Sequence, residues 1–302
     1  MRYSRAFWNA RLVVVLLFLS ALLRAQAPHD RAFWRAIAKA KYSVPEHESA
    51  DTLAHELSAL LASPDPELRD DLAYSILTNW IYRRSLLSMT TFQSLTDEWR
   101  SNLKSGIGEM ETNSVLKRSF SALLLASMAE RELQLPFLGA DRYHQLVGDA
   151  VTYLKAERDL RGYDAQLGWI HANAHTADLL QALALSPMLT RGEENSIMAA
   201  IATRFSTAPQ VYIQGEQDRM ASAVLAVIRR PSFDTASFES WLSHMQEEDK
   251  QVWANPLTPE SLARYQDHTY FLQALAVRLA LEPESPRVAG YSRSVLAILR
   301  AK

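Results

Sequence analysis

Residues 157–180 read ERDLRGYDAQLGWIHANAHTADLL and hold four acids, two arginines, two histidines and a tryptophan. These are the side chains that proton transfer, metal ligation and carboxylate recognition use. Read as one helix over 168–185, with His171 at zero, His175 falls at about 40° and Asp178 at about −20°. The three share one sector, and Ala182 and Leu185 continue the same stripe one turn later. The polar triplet therefore lies on a face that turns apolar, where each polar group needs a partner or costs about 1–3 kcal/mol.

Two readings supply those partners. In the first, His171, His175 and Asp178 bind a metal or polarise a substrate, with Glu157 or Asp159 as acid or base, which makes a hydrolase. In the second, the histidines bond backbone carbonyls and Asp178, while Arg161 pairs with a carboxylate and locks the 158–168 loop. The His-x3-His spacing matches that of zinc proteases, but Ala172 stands where those enzymes carry their general-base Glu. The spacing admits a divalent metal without favouring one, and no other cofactor is indicated.

A second cluster, Gly215-Glu216-Gln217-Asp218-Arg219, opens a helix, where the acids suit the positive end of the dipole. Arg219 precedes an apolar run and is expected to bridge to Glu157, Asp159 or Asp178, building one polar centre from both segments. Tyr163, Trp169, Arg161, Glu216 and Arg219 are the candidate binding residues. Gln266 to Tyr270 adds an acid and an imidazole of a kind that helical surfaces carry routinely.

The 157–180 segment resembles the core motif of the DUF2785 family, bacterial proteins with no assigned function. Its motif positions here are Glu157, Asp159, Arg161, Gly162, Tyr163, Gly168, Trp169, His171, His175 and Asp178. Residues 212–228, YIQGEQDRMASAVLAVI, resemble the family's second block. The resemblance implies an all-helical, repeat-like fold and supplies neither an activity nor an export signal.

The elements that must position these residues read as helices. The 3.6-residue period recurs near 29–41, 50–62, 66–83, 91–104, 113–134 and 140–157, and again near 168–185, 191–206, 216–229, 234–249, 259–281 and 286–300. Pro64, Pro66, Pro187, Pro231, Pro256, Pro259, Pro283 and Pro286 punctuate the joints. No alternating strand is expected. Nine glycines in 302 residues, about 3% against a usual figure of roughly 7%, leave little material for hairpin turns. About a dozen helices with short loops imply an all-α fold of stacked helical hairpins, HEAT/ARM-like or α/α. No fixed-period repeat is visible. Trp34, Trp80, Trp99, Trp241 and Trp253 fall on amphipathic patterns and are expected in the core.

The N-terminus is expected to be an address. Arg2, Arg5 and Arg11 precede an apolar run from Leu12 to Leu23, and Ala25-Gln26-Ala27 forms an A-x-A cleavage site. The run is short of the roughly 20 residues a bilayer-spanning helix needs. Residues 1–27 are thus read as a signal peptide and 28–302 as one helical domain of an exported protein, periplasmic or secreted. Pro28 is a poor residue for the peptidase, so membrane contact is either transient or, without cleavage, an anchor. Removing the signal lowers Lys+Arg from 32 to 28 against 34 acids, a formal charge of −6.

That acidity, without a basic cluster, excludes nucleic acid as a partner. The absence of Cys excludes disulfides, thiol nucleophiles and zinc ribbons. The leading expectation is a scaffold or binding module for a protein or small molecule, centred on 157–178, with the hydrolase as the alternative.

Overall fold

Each apolar-periodic segment between proline joints becomes a helix. The computed structural model describes residues 29–302, and the expected export signal, residues 1–27, lies outside them. Among the described residues are twelve helices. The first are α1 (Arg31–Lys39) and α2 (Ala50–Leu60). The rod α3 is built from a π-helical stretch (Glu67–Tyr74), one α turn (Ser75–Thr78) and a second π stretch (Asn79–Arg83). Then come α4 (Met89–Asn102), α5 (Ser114–Gln134) and α6 (Gly139–Ala156). After a short hairpin follow α7 (Ala172–Ala184), α8 (Arg191–Ser206), α9 (Glu216–Ile228), α10 (Thr235–Ala254), α11 (Pro259–Ala280) and α12 (Pro286–Ala301).

Local chemistry fixes the starts. Asp30, Ser49, Ser88 and Ser285 each accept a backbone N–H from the first turn of the helix they precede. Thr190 with Glu193, and Thr258 with Ser261, close reciprocal capping boxes. Pro259 occupies the first turn of α11, where its missing N–H costs nothing.

Every second helix joins one row. α3, α5, α7, α9 and α11 pack side by side in that order. Behind them α6, α8, α10 and α12 form the second row, with α2 and α4 against α3 and α5 at the N-terminal end. This is the expected stack of helical hairpins. α7 is central: eleven of its thirteen residues are buried, because α5, α6 and α9 all pack on it. One continuous core runs through the stack. Trp34, Trp80 and Trp99 are fully buried in it, but Trp253 is exposed at the edge of α10, contrary to its amphipathic pattern. No described helix is long and apolar enough to cross a membrane.

The structure corrects the sequence reading between α6 and α7. Tyr163–Asp164 (β1) and Gly168–Trp169 (β2) pair as a small antiparallel hairpin, with Tyr163 opposite Trp169. Asp164 Oδ1 accepts the N–H groups of Gln166 and Leu167, both at 2.8 Å, which turns the chain without a run of glycines. Gly168 then takes φ +71°, and a Cβ there would meet Pro66 Cβ at 2.9 Å. α7 accordingly starts at Ala172, four residues later than the periodicity predicts.

Candidate functional site

Glu157 ends α6 and is fully buried. Its carboxylate accepts Arg118 Nε at 2.6 Å and Nη2 at 3.1 Å, together with the N–H groups of Arg158 and Asp159. Arg118, equally buried, sends its remaining nitrogen to the carbonyls of Ser105 and Gly106 and to Ser114 Oγ. From α8, Arg204 donates to the backbone carbonyls of Glu157 and Lys155. Both charges of the central pair are thus fully used, the condition under which a buried ion pair is tolerable. Asp159 is occupied in the same way, by Arg161 Nε at 2.8 Å and Nη2 at 2.6 Å and by the N–H of Glu111. The expected lock of Arg161 on a carboxylate is present, and its partner is Asp159.

The hairpin is gripped from α3. Arg69, with no exposed surface, donates to the carbonyls of Ser63 (2.7 Å), Leu167 and Trp169 (3.1 Å), and its guanidinium lies 4.8 Å from the centre of the Phe120 ring. Gly162 packs so closely on Gln214 that a Cβ would sit 2.4 Å from Oε1. The glycine therefore lets the two sequence blocks touch.

His171 is the N-cap of α7, with φ +53°. Of the six described non-glycine residues with positive φ it alone is buried, a strain of about 1–3 kcal/mol that its surroundings must hold. Trp169 stacks on its ring at 4.8 Å, and Nε2–H donates to the carbonyl of Gln214 at 3.1 Å. Glu216 lies 3.6 Å from the same nitrogen and accepts the N–H of Gln214.

One turn on, His175 Nδ1 lies 2.8 Å from Ser119 Oγ, and that hydroxyl donates to the carbonyl of Ile170. The single hydroxyl proton is thereby spent, so Nδ1 carries the imidazole's proton and donates. Burial pushes the His171 pKa down to about 4, with the nearby Arg219 charge adding to the effect. His175 is pushed well below the ordinary value by burial, then by His171 and Arg219. Both rings are neutral at physiological pH.

Asp178, on α7, bonds Arg219 of α9. Burial raises the Asp178 pKa against the pull of that arginine, and burial likewise raises Glu216. The expected bridge between the two sequence blocks therefore forms, through Asp178. Glu157 and Asp159 belong to a separate knot around Arg118 and Arg161. No group of three His, Asp or Glu side chains among the described residues has the geometry to hold a metal ion. Instead Arg219 places a positive charge near both imidazoles.

The match with known proteins follows this geometry. The model of DUF2785, a protein of unknown function, matches residues 103–277, more than half of the chain, spanning the Arg118–Glu157 knot, the hairpin and the Arg219 bridge. The chain belongs to the DUF2785 family. No curated protein and no solved structure matches it.

The residues that sequence reasoning missed lie outside the 157–180 stretch. Arg69, Arg118, Ser119, Arg204 and Gln214 hold what the motif presents. One signal was readable: Arg118 and Ser119 interrupt an apolar helical run on its buried face. Arg69 gave none, because its two partners in the hairpin are backbone carbonyls about a hundred residues away.

Proposed function

We propose that this DUF2785 protein is an exported, non-catalytic binding scaffold. In it the 157–219 centre sets the packing of α5, α7 and α9 and presents an aromatic ledge. One observation carries this: the motif's charged groups already have protein partners, while Tyr163 and Trp169 stay 55% and 41% exposed. Tyr163 meets Trp169 edge-on at 5.1 Å, and Ile213, 76% exposed, belongs to the neighbouring 211–214 loop. Aromatic groups backed by a rigid interior suit a partner that offers apolar surface, whether a protein segment or a small molecule.

A photo-crosslinking side chain in place of Tyr163 tests the ledge in the native cell. The expected result is an adduct of discrete mass that Trp169→Ala removes while the unfolding free energy shifts by only about 1 kcal/mol. Absence of any adduct, together with hydrolytic turnover lost in a folded His171→Asn variant, would contradict the proposal.

Export is supported by the charged start, the twelve-residue apolar run and the Ala25-Gln26-Ala27 site. N-terminal sequencing of protein recovered outside the cytoplasm is expected to begin at Pro28. Full-length chain confined to the cytoplasm would overturn this part of the reading.

A further inference from the structure

Away from the ledge, a pocket of about 360 Å³ lies between the end of α8, α10 and the start of α11. That volume stands at the small end of the range for organic ligands. Tyr163, Trp169 and Ile213 do not line it. Two side chains of opposite charge do, and they are not paired with each other. Glu248, on α10, accepts the Ser206 hydroxyl at 2.6 Å, and among the described residues no lysine or arginine bonds it. Arg264, on α11, reaches only the backbone carbonyls of Glu260 and Ser206, both at 3.3 Å. Those lengths exceed the usual N–H···O range, and among the described residues its Nη2 makes no hydrogen bond. Ser206 thus spaces the two charges, its hydroxyl on the carboxylate and its carbonyl on the guanidinium.

A third polar group closes the pocket. His268 is 2% exposed, its Nδ1 lies 2.7 Å from Asp249 Oδ1, and its Nε2 has no hydrogen-bond partner. Glu248 Oε2 faces that nitrogen at 3.8 Å, beyond hydrogen-bond range. Asp249 adds no free charge, because its second oxygen takes Lys302 Nζ. Val252 and Pro256 supply an apolar wall.

A simple anion in this space would meet Glu248, and a simple cation would meet Arg264. A molecule that carries both charges answers each with its opposite, through charge-assisted hydrogen bonds. We propose that the pocket binds a free α-amino acid, its carboxylate on Arg264 and its ammonium on Glu248. His268 Nε2 serves such a ligand whether or not it carries a proton, donating to the carboxylate or accepting from the ammonium. Val252 and Pro256 remain for the ligand's side chain.

The test is calorimetric titration of untagged protein with each of the twenty L-amino acids. At least one is expected to bind at one equivalent with a Kd below about 1 mM. Its affinity falls about tenfold to a hundredfold in Glu248→Gln and in Arg264→Gln. Both side chains are partly exposed, so the variants are expected to keep the wild-type unfolding midpoint. The N-acetyl and methyl-ester forms of the bound amino acid remove the same charges one at a time without touching the protein, and neither is expected to bind. Three results would overturn the proposal: no saturation by any of the twenty below about 10 mM, affinity unchanged in both variants, or a blocked form that binds as well as the free amino acid. The last would make the pocket a site for a single charge.

Discussion

At His171 three costs meet in one residue: a left-handed backbone, a buried imidazole and a neighbouring arginine charge. The native state holds the ring neutral down to about pH 4, whereas the unfolded chain takes up its proton near the ordinary value of 6.5. Between those limits the unfolded state binds more protons, so His171 contributes stability that is complete above pH 6.5 and is lost as the pH falls. From pH 7 to pH 5 the loss is about 2 kcal/mol. Asp178, Glu216 and Asp267, the last raised by burial to about 6, act with opposite sign, because the native state binds their protons more tightly. The effect therefore belongs in the difference between two chains. Urea unfolding at pH 7 and pH 5 is expected to show a steeper acid loss for wild type than for His171→Gln. Parallel profiles would contradict this.

At the scale of elements, the hairpin between α6 and α7 determines where the histidines point. Gly168→Ala would force a side chain into a positive-φ residue and onto Pro66, so a loss of about 2–3 kcal/mol is expected, with unfolding midpoint as the measure. A midpoint equal to wild type would show that the hairpin is not held against α3. This element also marks the limit of what the sequence revealed. The helices were legible from the apolar period and from the prolines at their joints, Pro259 among them. The hairpin was not, because its turn rests on one aspartate and its grip on Arg69, a helix away in space. Tracing 168–185 as one helix put His171, His175 and Asp178 on a common stripe. The αL cap instead lifts His171 out of the helix, onto Trp169 and Gln214. That Arg219 would bridge to an acid of the first segment was legible, since a charge opening an apolar helix needs a partner, but which of Glu157, Asp159 and Asp178 it would reach was not. The Arg118–Glu157 pair was not, because a sequence does not say which of several acids an arginine will reach.

Over the whole molecule, stacked hairpins distribute a core along the chain without disulfides, and every second helix contributes to the row that carries the motif. In such a stack, a charged knot at the junction of two helical hairpins fixes their relative angle, since α5, α6 and α8 all bond to it. The central claim is that the two imidazoles are struts of this stack. The most direct measurement compares wild type with a His171→Ala/His175→Ala variant, recording metal content by mass spectrometry and unfolding free energy on untagged protein. The account predicts equal metal content in both proteins and an unfolding free energy lower by about 3–5 kcal/mol in the variant. Near-stoichiometric metal in the wild type that disappears in a variant of unchanged stability would contradict it and make His171 and His175 ligands of a catalytic ion.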